Sequence, residues 1–220
     1  MLLAAVTQTA DEGFRIHDIL RAVSGALEVP VIVLLVLFLL AAAALVGWLI
    51  SESCTERRHL KLALPVLMET LRTAPDREAV VEESGLLRRQ KDALLELLRH
   101  PDFTDATREA LAIELLEREQ DRYDSIVKLS ELLARLAPML GLLGTLIPLG
   151  PGIIALGQGD TYTLSTSLLT AFDTTIAGLV AAALAIVVSA IRRRWYREYG
   201  SVLEALCTEA LELTKKGEAR

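Results

Sequence analysis

Thr145, Thr175 and Asp173 pose the chemical question of this chain, because each falls inside an apolar run long enough to cross a bilayer. The run from Leu136 to Gly159 carries no charge, and from Thr161 to Ile191 the only charge is Asp173. An ionisable residue within a membrane span is costly, and it faces a bundle interior or an ion path rather than acyl chains. Asp173 lies roughly 10 residues into its span, on the order of 15 Å deep at the helical rise and so near the bilayer midplane. Its spacing admits two readings: a proton or cation relay, or a hydrogen-bonded packing residue between helices or subunits. A lone membrane threonine commonly bonds the carbonyl of its own preceding turn and says little about conduction. One at matching depth on each of two adjacent spans, as at Thr145 and Thr175, points to a polar track. The step from Asp173 to Thr175 turns by about 200°, so the carboxyl aligns with Thr166, Thr170 and Ala177 rather than with that hydroxyl.

Helices must hold these groups, and in lipid helices associate through close packing of small residues. Ala171, Thr175, Gly178, Ala182, Ala185 and Ser189 recur at spacings of 4, 3, 4, 3 and 4, which keeps them on one helical face. Gly141, Gly144, Thr145, Pro148 and Gly152 supply a matching face one run earlier. The two runs are expected to pack as a hairpin joined by Gln158-Gly159-Asp160, with Gly141, Gly144, Pro148, Ala171, Gly178 and Ala182 as its packing residues. Pro148 and Pro151 remove helical donors, which predicts a kink or early unwinding after Thr145.

The 220 residues are 52% hydrophobic and 24% charged, with the charges segregated into a middle block and the flanks. A third uncharged run, Val29 to Ser51, brings the expected membrane helices to three, at 29–50, 136–157 and 165–191. The fold class is all-α, an integral membrane protein whose helices extend into a helical stalk. Arg57, Arg58 and Lys61 follow the first span, Lys128 and Arg135 precede the second, and Arg192, Arg193, Arg194 and Arg197 follow the third. The 158–164 loop has no Lys or Arg. By the positive-inside rule, 51–135 and 192–220 are cytoplasmic and 1–28 lies outside the inner membrane, although Arg15 and Arg21 run against the majority. Met1 to Ala10 has no basic n-region, so the first span is expected to stay as an anchor.

Residues 13–27 carry an approximate helical stripe and read as an interfacial helix or a loosely ordered leader. Leu60, Leu64, Leu67, Met68 and Leu71 continue the first helix inward despite Pro65, up to the break at Thr73-Ala-Pro-Asp-Arg, where Asp76 or Thr73 caps the next helix. That second helix carries Leu86, Leu87, Leu94, Leu95, Leu97 and Leu98 as far as the turn His100-Pro101-Asp102. A third starts near Thr104 or Asp105 and runs into the second span. Cys54 and Cys207 fall in the reducing compartment and are expected to be free thiols. The net charge of -6 has no basic stripe, which gives nucleic-acid binding no support. His17, His59 and His100 lie in separate segments, and Gly141-Leu-Leu-Gly144 sits in an apolar span rather than a phosphate loop, so no enzyme chemistry, cofactor or metal site is expected.

At these residues the chain resembles the MotA/TolQ/ExbB family of proton-channel subunits. Pro138 to Thr145 is similar to the family's Pro-x-x-Gly-Leu-Leu-Gly-Thr pattern in the second span, and Thr174-Thr175-Ile-Ala-Gly-Leu179 to its Thr-x-x-Gly-Leu pattern in the third. Three spans with an outside N-terminus resemble the TolQ and ExbB branch rather than the four-span MotA branch. The resemblance implies a pentamer around two copies of a single-span partner of the ExbD, TolR or MotB type. It further implies that the partner's Asp carries the proton, that hydroxyls at Thr145 and Thr175 line its route, and that ion flow drives mechanical work. Two departures stand out: Thr170 occupies the position where ExbB-like chains often carry Glu, and Pro148 and Pro151 follow Thr145. The scarcity of span carboxylates favours H⁺ over Na⁺. The alternative reading is a membrane-anchored scaffold or receptor whose cytoplasmic helices recruit partners.

Overall fold

The computed structural model describes residues 2–55, 64–74, 76–100 and 103–218, and among them every regular element is an α-helix. The order is α1 (Leu2–Thr55), α2 (Leu64–Thr73), α3 (Arg77–Glu83), α4 (Arg88–Leu98), α5 (Asp105–Gly157) and α6 (Thr161–Glu218). Three segments are long and apolar enough to cross a membrane: Ala22–Cys54, Asp105–Gly157 and Thr161–Leu213. Their apolar side chains are largely outward, as Leu40, Met139, Leu146, Phe172 and Ile176 show. Such a surface suits hydrocarbon as its solvent.

Three sequence expectations are modified. Residues 13–27 form no separate interfacial helix, because α1 is continuous and Pro30, an isolated missing donor, does not end it. No early unwinding follows Thr145 either: α5 keeps Pro138, Pro148 and Pro151 inside one helix and ends at Gly157. The expected second helix of the middle block is two helices, since Ser84, Gly85 and Leu86 form a bend between α3 and α4. Of the two candidate caps, Asp76 serves α3 by accepting from the Ala79 N–H at 3.1 Å, whereas the Thr73 hydroxyl donates to the Glu69 carbonyl at 2.9 Å. The expected continuation through Leu60 and the Pro101-Asp102 pair lie outside the described residues.

The chain divides into two units. One holds residues 45–130 and 187–220, and its core is built from α2, α3, α4, the first part of α5 and the last part of α6. Leu71, Val81, Leu94, Leu115, Leu203 and Leu206 are all at most 3% exposed there. Burial of leucine and valine side chains on this scale contributes about 1.5–3 kcal/mol each against the exposed state. Buried Gln90 is held at both ends: its Nε2 donates to the Tyr199 carbonyl at 3.0 Å while its Oε1 accepts from the Leu87 N–H at 3.2 Å. Arg72 grips Glu209 with Nε at 3.0 Å and Nη2 at 2.9 Å from the same carboxylate oxygen. Tyr123 stacks on Tyr196 with ring centroids 4.5 Å apart. The thiols of Cys54, exposed, and Cys207, buried, are both free.

The other unit holds residues 1–44 and 131–186. Val31, Leu35 and Ala42 of α1 are buried in it, together with Ala137 and Ala155 of α5 and Ala171, Ala181, Ala182 and Ala185 of α6. The preponderance of alanine marks helices held close together rather than spaced by large side chains.

Candidate functional site

The hairpin of α5 and α6 begins at its turn. Gly159 adopts φ +78°, the left-handed setting that a residue without Cβ takes at little cost. Asp160 N–H reaches the Ala155 carbonyl at 2.9 Å and Gly159 N–H the Leu156 carbonyl at 3.0 Å, the paired bonds of a Schellman ending. The Asp160 carboxylate then caps α6, accepting from the backbone N–H groups of Tyr162 and Thr163, each at 3.1 Å, and from the Thr163 hydroxyl. That hydroxyl, followed by the Thr163 backbone, holds the carboxyl below its usual range. The turn thus reverses the chain within three residues and starts α6 in a fixed direction.

Glycines set how closely the helices approach. A methyl added at Gly178 would lie 2.7 Å from the Ala137 carbonyl oxygen and 3.0 Å from the Gly141 Cα. One added at Gly144 would lie 2.7 Å from Thr174 Cβ and 2.8 Å from its hydroxyl oxygen, and one at Gly141 would lie 3.3 Å from the Thr174 carbonyl. Farther along, a methyl at Gly152 would approach Ser167 Cβ to 3.1 Å. Backbone therefore meets backbone at Gly141 and Gly178, with Thr174 seated in the notch at Gly144. Pro148, Ala171 and Ala182 are buried in the same unit.

Each sequence-highlighted polar residue takes a distinct place around this seam. Thr145 is half-buried, and its hydroxyl donates to the Leu142 carbonyl at 2.7 Å. Its oxygen retains lone pairs that accept a further hydrogen bond. Thr175 is half-buried, with its Cα 3.6 Å from the position a Gly141 methyl would take. Asp173 is exposed between the exposed side chains of Phe172 and Ile176. The buried residue between the acid and Thr175 is Thr174, 7% exposed, with its hydroxyl donating to the Ala171 carbonyl at 2.9 Å. Asp173 and Thr175 consequently flank the α5 contact on opposite sides, and the structure does not gather the three polar residues into one cluster. The acid shares its flank with Thr170 and Thr166, whose hydroxyls donate to the carbonyls of Thr166 at 3.1 Å and Thr163 at 2.9 Å.

Thr174 is the contact residue that the small-residue spacing passes over in favour of Thr175. The series Ala171, Thr174, Gly178, Ala181, Ala185 has spacings of 3, 4, 3 and 4 and fits a helix face as well as the series through Thr175 does. Only the depth of the Gly144 notch distinguishes them.

Among the described residues, no group of three or more His, Cys, Asp or Glu side chains is placed to hold a metal ion. The arrangement is a glycine-lined helical hairpin in a bilayer, edged by hydroxyls and one carboxyl. No curated protein matches the chain. A sequence model of the MotA/TolQ/ExbB proton channel family matches residues 83–205, more than half of the chain, covering the α5–α6 hairpin and much of the leucine-rich unit. This multi-pass membrane protein therefore belongs to the MotA/TolQ/ExbB proton channel family.

Proposed function

We propose that the chain is the channel-forming stator subunit of an ion-driven motor in the inner membrane, coupling proton motive force to mechanical work through a single-span partner. The observation that carries this reading is the seam itself: Gly141, Gly144 and Gly178 press α5 and α6 together, leaving the Thr145 and Thr175 side chains half-buried beside the contact. In this proposal Thr145 and Thr175 line the proton route. Thr145 serves as an acceptor, because its own proton is already given to the Leu142 carbonyl. Asp173, on the opposite flank of α6, joins the pathway at a subunit interface, where a carboxyl escapes contact with lipid.

The assembly is a pentamer around a dimer of an ExbD, TolR or MotB type partner, as in the TolQ and ExbB branch. Segments 1–28 and 158–164 lie outside, 51–135 and 192–220 are cytoplasmic, and 29–50, 136–157 and 165–191 cross the bilayer. Native mass spectrometry of the complex extracted in mild detergent tests this directly. Five copies bound to two copies of a single-span, Asp-bearing chain are expected. A monomer or dimer bound only to soluble proteins would instead support the scaffold reading.

A further inference from the structure

Arg192 is 0% exposed, although it follows an apolar span and is succeeded by two exposed arginines. Arg193 and Arg194 already supply the positive charge that a span end needs at the interface. The buried guanidinium faces two residues of α1 in the same unit: its Cζ lies 4.3 Å above the Trp48 ring, and its Nε lies 3.5 Å from Glu52 Oε2. The Glu52 side chain is itself only 8% exposed. Tyr196, one turn beyond Arg192, interacts electrostatically with the same carboxylate and stacks on Tyr123.

As a source of stability this arrangement is poor. A buried ion pair repays its desolvation only with excellent geometry, and apolar replacement is often neutral or stabilising. Here none of the three guanidinium nitrogens meets an acceptor in hydrogen-bonding geometry. What the cluster supplies is discrimination between registers. Trp48 and Glu52 stand one turn apart on α1, as Arg192 and Tyr196 do on α6, so ring, cation, carboxylate and phenol interleave in one setting. A slip of one turn in one direction puts Arg192 between Ala44 and Trp48, away from an acid. A slip in the other direction puts Glu52 in the place of the indole and Glu56 in the place of Glu52, so that two acids face one guanidinium. Either displacement leaves a buried charge worse compensated, which is how a polar group specifies register at a cost in stability.

We propose that Arg192 is a positioning residue that, with Trp48 and Glu52, clamps α1 in a single register against α6. Its test is a distance measurement within one subunit. Spin labels go on the native Cys54 and on Arg194→Cys, in a Cys207→Ala background, with labelled subunits diluted into unlabelled ones. Pulsed dipolar spectroscopy on the reconstituted full chain is expected to give one narrow distribution. Arg192→Met and the nearly isosteric Glu52→Gln should each broaden it or shift it by up to about 5 Å, the rise of one turn. The exchange Glu52→Arg with Arg192→Glu should restore the narrow distribution. Unchanged distributions in both single variants, at unchanged helicity, would overturn the proposal by showing that apolar packing sets the register. A double exchange that remains shifted would also overturn it, because pairing would then not be what positions the helices. Loss of insertion in Arg192→Met leaves Glu52→Gln, which preserves side-chain size, as the deciding variant.

Discussion

At the scale of single residues, the hydroxyls around the seam differ in what they have left to offer. Thr174 is buried against α5 with its proton given to Ala171, whereas Thr145 and Thr175 remain partly open. In a reconstituted complex with its partner, Thr145→Val and Thr175→Val should each lower proton flux about tenfold, roughly the 1.4 kcal/mol scale of one lost hydrogen bond in a barrier. Serine at either position should retain most of the flux. Full flux in both valine variants would remove these residues from the route. Asp173→Asn should preserve assembly and reduce coupling, measured as partner-dependent work per unit of flux, while disassembly would assign the carboxyl to packing. The intramembrane acid, the paired hydroxyls and the glycines are all legible in the sequence, because polar atoms in an apolar run stand out. Which of two adjacent threonines enters the Gly144 notch is not legible, since a step of one residue leaves the small-residue period intact.

At the scale of elements, the three long helices are legible as uncharged runs of bilayer length. The break between α3 and α4 is not, because Leu86 and Leu87 extend the leucine pattern across Gly85 and mask the bend. The assembly of the last turns of α6 with α2 to α4 is equally hidden, since a leucine stripe specifies a buried face and not its partner. The glycines of α6 separate two roles sharply. Gly178→Ala forces a methyl to 2.7 Å from a backbone carbonyl and should destabilise the hairpin by about 1–3 kcal/mol, the usual cost of overpacking. Gly200→Ala meets no atom within 4 Å and should instead stabilise by up to about 1 kcal/mol through helix propensity. Steric-trap or denaturant titrations in detergent micelles compare the two. Equal effects of the same sign would contradict the backbone contact at Gly178.

At the scale of the whole molecule, the two native thiols report topology and folding together. Cys54 is exposed and Cys207 is 1% exposed. In inverted membrane vesicles an impermeant maleimide should modify Cys54 within minutes and reach Cys207 only after denaturation, whereas intact cells should protect both. Labelling of Cys54 from outside intact cells would reverse the proposed orientation. The turn at Gln158, Gly159 and Asp160 has a consequence for biogenesis as well. It makes α5 and α6 neighbours in time as well as in space, so the ribosome delivers them to the insertion machinery as one unit. α6, with Asp173 and its threonines, then enters lipid alongside a helix already shaped to receive it. The first helix has no such companion and must wait for the rest of the chain.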